Sequence, residues 1–184
     1  MNPYKIIYNY YPAGTLRDIL VTHSKCVASK ALDIADSLEL EIDRDFVFEA
    51  AMLHDIGIFR TDAPSIHCYG SLPYICHGIE GRQILDEEGY PRHALVCERH
   101  TGAGITVGDI TAQNLPLPRR DMCPVSLEEK LICYADKFFS KSRNLTEEKP
   151  VEKIIAQMEA HGADTLERFM QMHRLFCPEC VAVR

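Results

Sequence analysis

The run Ala50-Ala51-Met52-Leu53-His54-Asp55-Ile56-Gly57 carries an imidazole and a carboxylate into the end of an apolar stretch. No other feature constrains the fold as much. A carboxylate buried without a partner costs more than a domain's whole net stability, so the fold must bring compensating groups to Asp55. Because the neighbours of the pair are apolar, those groups must come from distant parts of the chain.

Apolar residues elsewhere recur at three- and four-residue steps, the period of helices rather than strands. Leu20, Val27, Ala31, Ile34 and Leu38 form one stripe, opened by Thr15 and Asp18 as a variant capping box. His23 fills the one gap in that stripe and so faces inward. A second helix is expected over about 44–56, with Val47, Ala50, Ala51 and His54 on one face and Gly57 as its stop. Residues 60–72 read as a loop. Pro73 opens a helix with His77, Gly81, Ile84 and Leu85 on one face. Gly78 and Gly81 weaken it by about 1 kcal/mol each, which points to close approach by another backbone or a ligand.

Pro91 starts a helix running to His100, and residues 101–125 read as a long loop. Ser126 and Glu129 form a capping box for LEEKLICYADKFFSK, with Asp136 on or beside its apolar face. Pro150 starts another helix that Gly162 ends, and a last one covers about 163–176. The expectation is an all-α fold: a single compact helical bundle over 1–184, with its core at about 16–143 and C-terminal helices at about 150–176.

With 46% hydrophobic and 26% charged residues, the composition is that of a soluble globular chain. No apolar stretch approaches the roughly 18 residues of a membrane span. The opening MNPYKIIYNYYPAG lacks the regions of a signal peptide, so a cytoplasmic location is expected. A net charge of −7 argues against a broad nucleic-acid surface. It leaves room for an anionic small substrate, since bound cations reverse a local field. The eight cysteines are scattered and read mostly as reduced, buried thiols. Cys177 and Cys180 alone make a CxxC, half a zinc site at most, and read as a tail thiol pair.

His23, His54, Asp55, His77, His100 and Asp136 come from five helices or helix ends. Any one alone reads as a hydrogen-bonded core residue. Six such groups inside one domain need shared compensation. A metal centre supplies it, because imidazole nitrogen and carboxylate oxygen suit Mn, Fe, Co, Ni or Zn.

The segments LVTHSKCVASKAL, AAMLHDIG, ICHGIEG, CERHTGAG and LEEKLICYADK follow one another in an order that resembles the HD-domain metal-dependent phosphohydrolase superfamily, HDIG type, over about 16–143. The resemblance implies that His23, His54, Asp55 and Asp136 hold one metal. It also implies that His77 and His100 hold a second, with Asp55 bridging, as in the six-ligand dinuclear branch. The implied cofactors are two divalent transition metal ions, Fe or Mn foremost, with Zn, Ni, Co or Mg as alternatives. Two such cations about 3.5–4 Å apart acidify a shared water and bind phosphate oxygens. The implied reaction is hydrolysis of a phosphate ester or anhydride in a nucleotide or small phosphorylated metabolite by metal-bound hydroxide.

Asp55 and Lys137 are then the catalytic candidates, and Arg99, Thr101 and Lys137 the candidate substrate contacts. Lys25, Arg60 and Arg82 are further cations to consider, and Thr101-Gly102-Ala103-Gly104 offers backbone N–H groups to a phosphate. Ile58 stands where many superfamily members carry lysine after HDIG. Gly89-Tyr90-Pro91 lies upstream of His100, so it reads as a helix stop and start rather than as the mark of the cyclic di-GMP phosphodiesterases. His67, His93, His161 and His173 read as surface or loop histidines. Two other functions share the ligand set: a di-iron oxygenase of the inositol oxygenase or phosphonate-cleaving type, and a non-catalytic metabolite-binding module.

Overall fold

The computed structural model describes residues 1–142 and 144–181, with side chains through Glu179. Its helices are α1 (Pro3–Tyr10), α2 (Thr15–Ser37), α3 (Arg44–Leu53), α4 (His77–Glu87), α5 (Pro91–Arg99), α6 (Val107–Ala112), α7 (Leu127–Asp136), α8 (Val151–Ala160), α9 (Ala163–Phe176) and the short α10 (Pro178–Val181). The expected helical bundle is therefore present. Between α3 and α4 it carries a small sheet in the order β2–β1–β3, made of β1 (Thr61–Ala63), β2 (Cys68–Tyr69) and β3 (Leu72–Pro73). Strands of two and three residues are too short to display alternation, so the sequence reads them as loop. No described helix is long and apolar enough to cross a membrane.

Several helix ends differ from expectation for local reasons. Gly14 is the N-cap of α2, without a side-chain cap bond, so Thr15 is already helical and the Thr15–Asp18 box does not form. At α7 the N-cap is as expected, Ser126 Oγ accepting from the Glu129 N–H at 3.1 Å. The 101–125 segment contains α6, started by a complete capping box between Thr106 and Asp109.

The apolar residues gather in two large cores, with a small third cluster of Ile105, Ile110 and Met122 around α6. One joins Val27 and Ala31 of α2, Val47 of α3, Leu131 of α7, Ile154 of α8 and Phe169 of α9. The other joins Ile7 of α1, Leu20 of α2, Leu53 of α3, Leu85 of α4 and Cys97 of α5. Helix α2 passes from the second core to the first between Leu20 and Val27, and His23 lies in that interval. His100 likewise falls between Cys97 and Ala103, which belong to different cores. The ionisable cluster thus occupies a seam walled by hydrocarbon on both sides.

Two glycines close that seam. A Cβ on Gly57 would stand 2.3 Å from Gly81 N and from His77 O, and one on Gly78 would stand 2.6 Å from Cys97 O. These contacts seat α4 on the turn after α3 and on α5, bringing His77 and His100 to Asp55. Gly57 has φ −86°, so it is there for its missing side chain rather than as a left-handed stop. The close backbone approach expected at Gly78 is this one.

Cys26, Cys68, Cys76, Cys97, Cys123 and Cys133 are free thiols. Cys177 is disulfide-bonded, and the side chain of Cys180 lies outside the described residues. His67 and His161 are exposed. His173 is not a surface residue: it is buried on α9, its Nδ1 2.9 Å from Tyr134 Oη, because it shares a face with Phe169, Met172 and Phe176.

Candidate metal centre

Three of the four central histidines sit where a helix begins or ends. His54 is the C-cap of α3, His100 the C-cap of α5, and His77 follows a 3-10 turn into α4. Helix ends leave backbone carbonyls without intrahelical partners. Each ring uses the carbonyl three residues back: Nδ1 of His54, His77 and His100 donates to Ala51 O (2.6 Å), Tyr74 O (2.7 Å, which also accepts the His77 N–H) and Cys97 O (2.8 Å). A carbonyl only accepts, so Nδ1 carries a proton and Nε2 faces the cluster as the ligating atom. His23 sits within α2, where the carbonyls are already used, and its Nδ1 is buried without a partner.

The six side chains converge, and Asp55 divides them. Its Oδ2 lies 3.4 Å from His23 Nε2 and 3.1 Å from His54 Nε2. Asp136 Oδ1 meets the same two nitrogens at 2.9 and 3.4 Å. Asp55 Oδ1 turns the other way, 3.5 Å from His77 Nε2 and 3.4 Å from His100 Nε2. Two groups result, His23–His54–Asp55–Asp136 and Asp55–His77–His100, each with its candidate ligand atoms within 4.8 Å of one another. All are buried, and both Asp55 oxygens and His54 Nε2 lack a directed hydrogen bond. Buried acceptors left in this state are what a cation satisfies, and this donor set suits transition metals. These clusters could bind metal ions.

The field in the seam is uneven. Burial pushes Asp55 upward, but Lys141 and His54 outweigh it and hold the carboxyl well below its usual range. Burial likewise opposes charge on Asp136, against Lys137 and Lys141, which keep it ionised. Burial disfavours a proton on His54 too, yet the Asp55 and Asp136 carboxylates raise its pKa to about 9. Burial and Lys141 take His23 down to about 4, and burial and His100 take His77 down to about 3. His100 is also lowered, by burial.

Of the candidate substrate contacts, Thr101 reaches the cluster, its Oγ1 3.5 Å from His77 Nε2. Lys137 is buried beside it, Nζ at 2.7 Å from Asp136 Oδ2 and 3.0 Å from His100 O. Arg99 does not turn to the cluster: both Glu129 carboxylate oxygens accept from its Nη1 at 3.0 Å. The Glu129 carboxylate also accepts from the Val125 N–H at 2.8 Å, one residue before the N-cap, so the expected capping box is not completed and the carboxylate holds Arg99 in place. Arg60 is paired with Glu80, Arg82 with Glu98, and Lys25 lies over the Tyr4 ring.

Sequence reasoning missed Lys141. Its Nζ is 2.7 Å from Asp55 Oδ2 and 3.9 Å from Asp136 Oδ1. In the continuous helix expected through residue 141, Asp136 and Lys141 would point in different directions. Helix α7 instead ends at Asp136, and the turn that follows folds Lys141 back over the carboxylates.

A helical bundle with a buried histidine–aspartate seam defines a fold with a candidate metal site. The chain matches the HD domain over residues 20–140 and belongs to that family. It is 34% identical over 137 residues to a tRNA (cytidine(56)-2'-O)-methyltransferase of Picrophilus torridus, covering 74% of this chain and 36% of that protein. A methyltransferase of the same name in Thermoplasma volcanium is 30% identical over 159 residues, 85% of this chain and 41% of that one. The chain therefore spans well under half of these two relatives. An uncharacterized protein of Methanocaldococcus jannaschii is 33% identical over 139 residues, 73% of this chain and 75% of that protein. Among solved structures, the HD domain of the L. monocytogenes phosphodiesterase PgpH shares the fold, with a TM-score of 0.51 at 17% identity over 94% of this chain and 84% of that one.

Proposed function

We propose that the chain is a metal-dependent phosphohydrolase that cleaves a phosphate ester or anhydride in a nucleotide or another small phosphorylated metabolite. The observation that carries this reading is the division of labour on Asp55, one oxygen to each histidine group. His23, His54, Asp55 and Asp136 would hold one divalent ion, and His77, His100 and Asp55 a second. Bound there, such ions supply Lewis acidity toward phosphate oxygens and acidify water near neutral pH.

The chain's own groups do the rest. The three Nδ1–H bonds hold three rings with Nε2 inward, and Lys137 pins Asp136 through Oδ2 so that Oδ1 faces the histidines. Lys141 stands at the edge of the cluster as a positive charge for a substrate oxygen, and Thr101 offers a hydroxyl on the opposite, His77 side. The hydrocarbon walls keep bulk water out and strengthen each of these interactions.

The buried lysines favour an anionic substrate over an uncharged polyol, which weighs against the inositol-type oxygenase. A net charge of −7 favours a small phosphorylated molecule over a long nucleic acid. The test is phosphate release across a panel of nucleotides and sugar phosphates by protein loaded with Mn or Fe, with and without oxygen. Release that persists without oxygen is expected. Silence across the panel, with oxygen consumed on a phosphonate or polyol, would replace the hydrolase by the oxygenase.

A further inference from the structure

The turn that returns Lys141 to the cluster also forms one wall of a cleft of about 440 Å³. Its polar lining is Ser65, Tyr74, Ser140, Lys141, Ser142 and Lys149. Two of these residues connect the cleft to the metal centre. Lys141 touches Asp55, and the Tyr74 ring stacks on His77 with centroids 4.7 Å apart. The cleft thus begins beside both histidine groups and leads away from them.

Lys149 stands in this cleft half-buried, and among the described residues its ammonium group has no ion-pair or hydrogen-bond partner. The acidic residues beside it are engaged elsewhere. Glu148 pairs with Lys30 at 2.6 Å, and Glu147 accepts from Asn144 Nδ2. The position of Lys149 is fixed by its backbone, whose N–H donates to Phe138 O at 2.7 Å. Burial and the ammonium groups of Lys137, Lys141 and Lys153 pull its pKa below the usual lysine value, against the pull of Asp136. A half-buried cation among like charges and hydroxyl donors is stabilised by an anion.

We propose that Lys149, with the Ser140 and Ser142 hydroxyls, forms a second phosphate subsite, so that the substrate carries two phosphate groups, one reacting at the metal centre and the other held in the cleft. This rests on the phosphohydrolase reading for the first group, but it concerns different side chains. It makes Lys149 a specificity-determining residue, selecting doubly phosphorylated molecules over singly phosphorylated ones.

The experiment uses the Mn-loaded chain of residues 1–184, freed of excess metal and titrated calorimetrically without oxygen. The probes are methylphosphonate and α,ω-alkylene bisphosphonates of two, four and six carbons, whose C–P bonds a phosphohydrolase leaves intact. Wild type is compared with Lys149→Gln, which keeps the backbone bond to Phe138, and with Lys153→Gln as a nearby charge control; thermal melts verify folding. In wild type at least one bisphosphonate length is expected to bind more tightly than methylphosphonate. Lys149→Gln should weaken that probe about tenfold, the scale of one charge-assisted hydrogen bond, and leave methylphosphonate within about twofold, while Lys153→Gln changes neither. An unchanged bisphosphonate profile in Lys149→Gln, or equal weakening of methylphosphonate and bisphosphonates, would overturn the subsite. Phosphate release is measured separately: if nothing is hydrolysed but the Lys149-dependent preference stands, the hydrolase reading fails and the subsite survives.

Discussion

The two halves of the candidate metal centre share Asp55 and little else. The half around His23, His54 and Asp136 has four donors, two of them carboxylates, and draws Lys137 and Lys141 to its edge. The half around His77 and His100 has three donors, and Asp55 Oδ1 brings its only negative charge. A site with more donors and more charge binds a divalent cation more tightly. In the proposed two-ion site the first half would therefore fill first and hold its ion alone, while the second would depend on a carboxylate already committed to its neighbour. A shared ligand makes the pair a unit, and unequal donor sets make it ordered.

The largest effect belongs to the shared ligand. Asp55→Ala should remove both ions and lower phosphate release by a factor of about 10³ or more, as losses at groups acting as one unit do. Metal analysis after dialysis reads this, and retention of two ions with full turnover would break the bridging assignment. Next comes the asymmetry between halves. His100→Ala should keep one ion per chain, whereas His54→Ala should lose the tight ion; equal losses from the two variants would erase the distinction drawn here.

Acidity sharpens the same contrast. An ion entering the first half displaces the proton that His54 holds up to about pH 9, so its affinity should climb about tenfold per pH unit from pH 6 until it levels near 9. The second half, with His77 at about 3 and His100 lowered, should change little over that range. Chelator competition at several pH values separates the two. In chelator-treated protein the raised His54 pKa contributes stability that is complete below its ordinary 6.5 and is lost as pH rises through about 9. His23 and His77 act oppositely: the stability they contribute is present above 6.5 and is lost as pH falls toward about 4 and 3. Melting temperatures across pH 3–10 check both signs.

The smallest effect is at the rim. Lys141→Ala removes a positive charge 2.7 Å from Asp55 Oδ2 and should tighten the first ion about tenfold while weakening substrate binding. Weaker metal binding in this variant would mean that Lys141 orients Asp55 rather than competing for it.

Much of this was legible in the sequence because helices impose a period. His23 betrays itself as the polar residue in an apolar stripe, and the six candidate ligands stand in the order that marks HD domains. Whatever depended on where a helix stops was less legible. A continuous helix through residue 141 hid Lys141, and the early end of α7 reveals it. Arg99 looks available next to His100 in the sequence, but Glu129, the third residue of α7, binds it. Helix α1 and the short sheet left no periodic signal, since eight residues and strands of two or three are too brief for one. His173 was misplaced because the face it shares shows only at helical spacing, with Phe169 four residues before it and Phe176 three after.

The most direct test of the shared-aspartate centre is an electron paramagnetic resonance titration of the metal-free chain with Mn²⁺. The first equivalent should give the spectrum of an isolated ion in the four-donor half, and the second should convert it to an exchange-coupled pair. Two equivalents giving twice the isolated signal, or binding that stops at one, would show that Asp55 does not bridge.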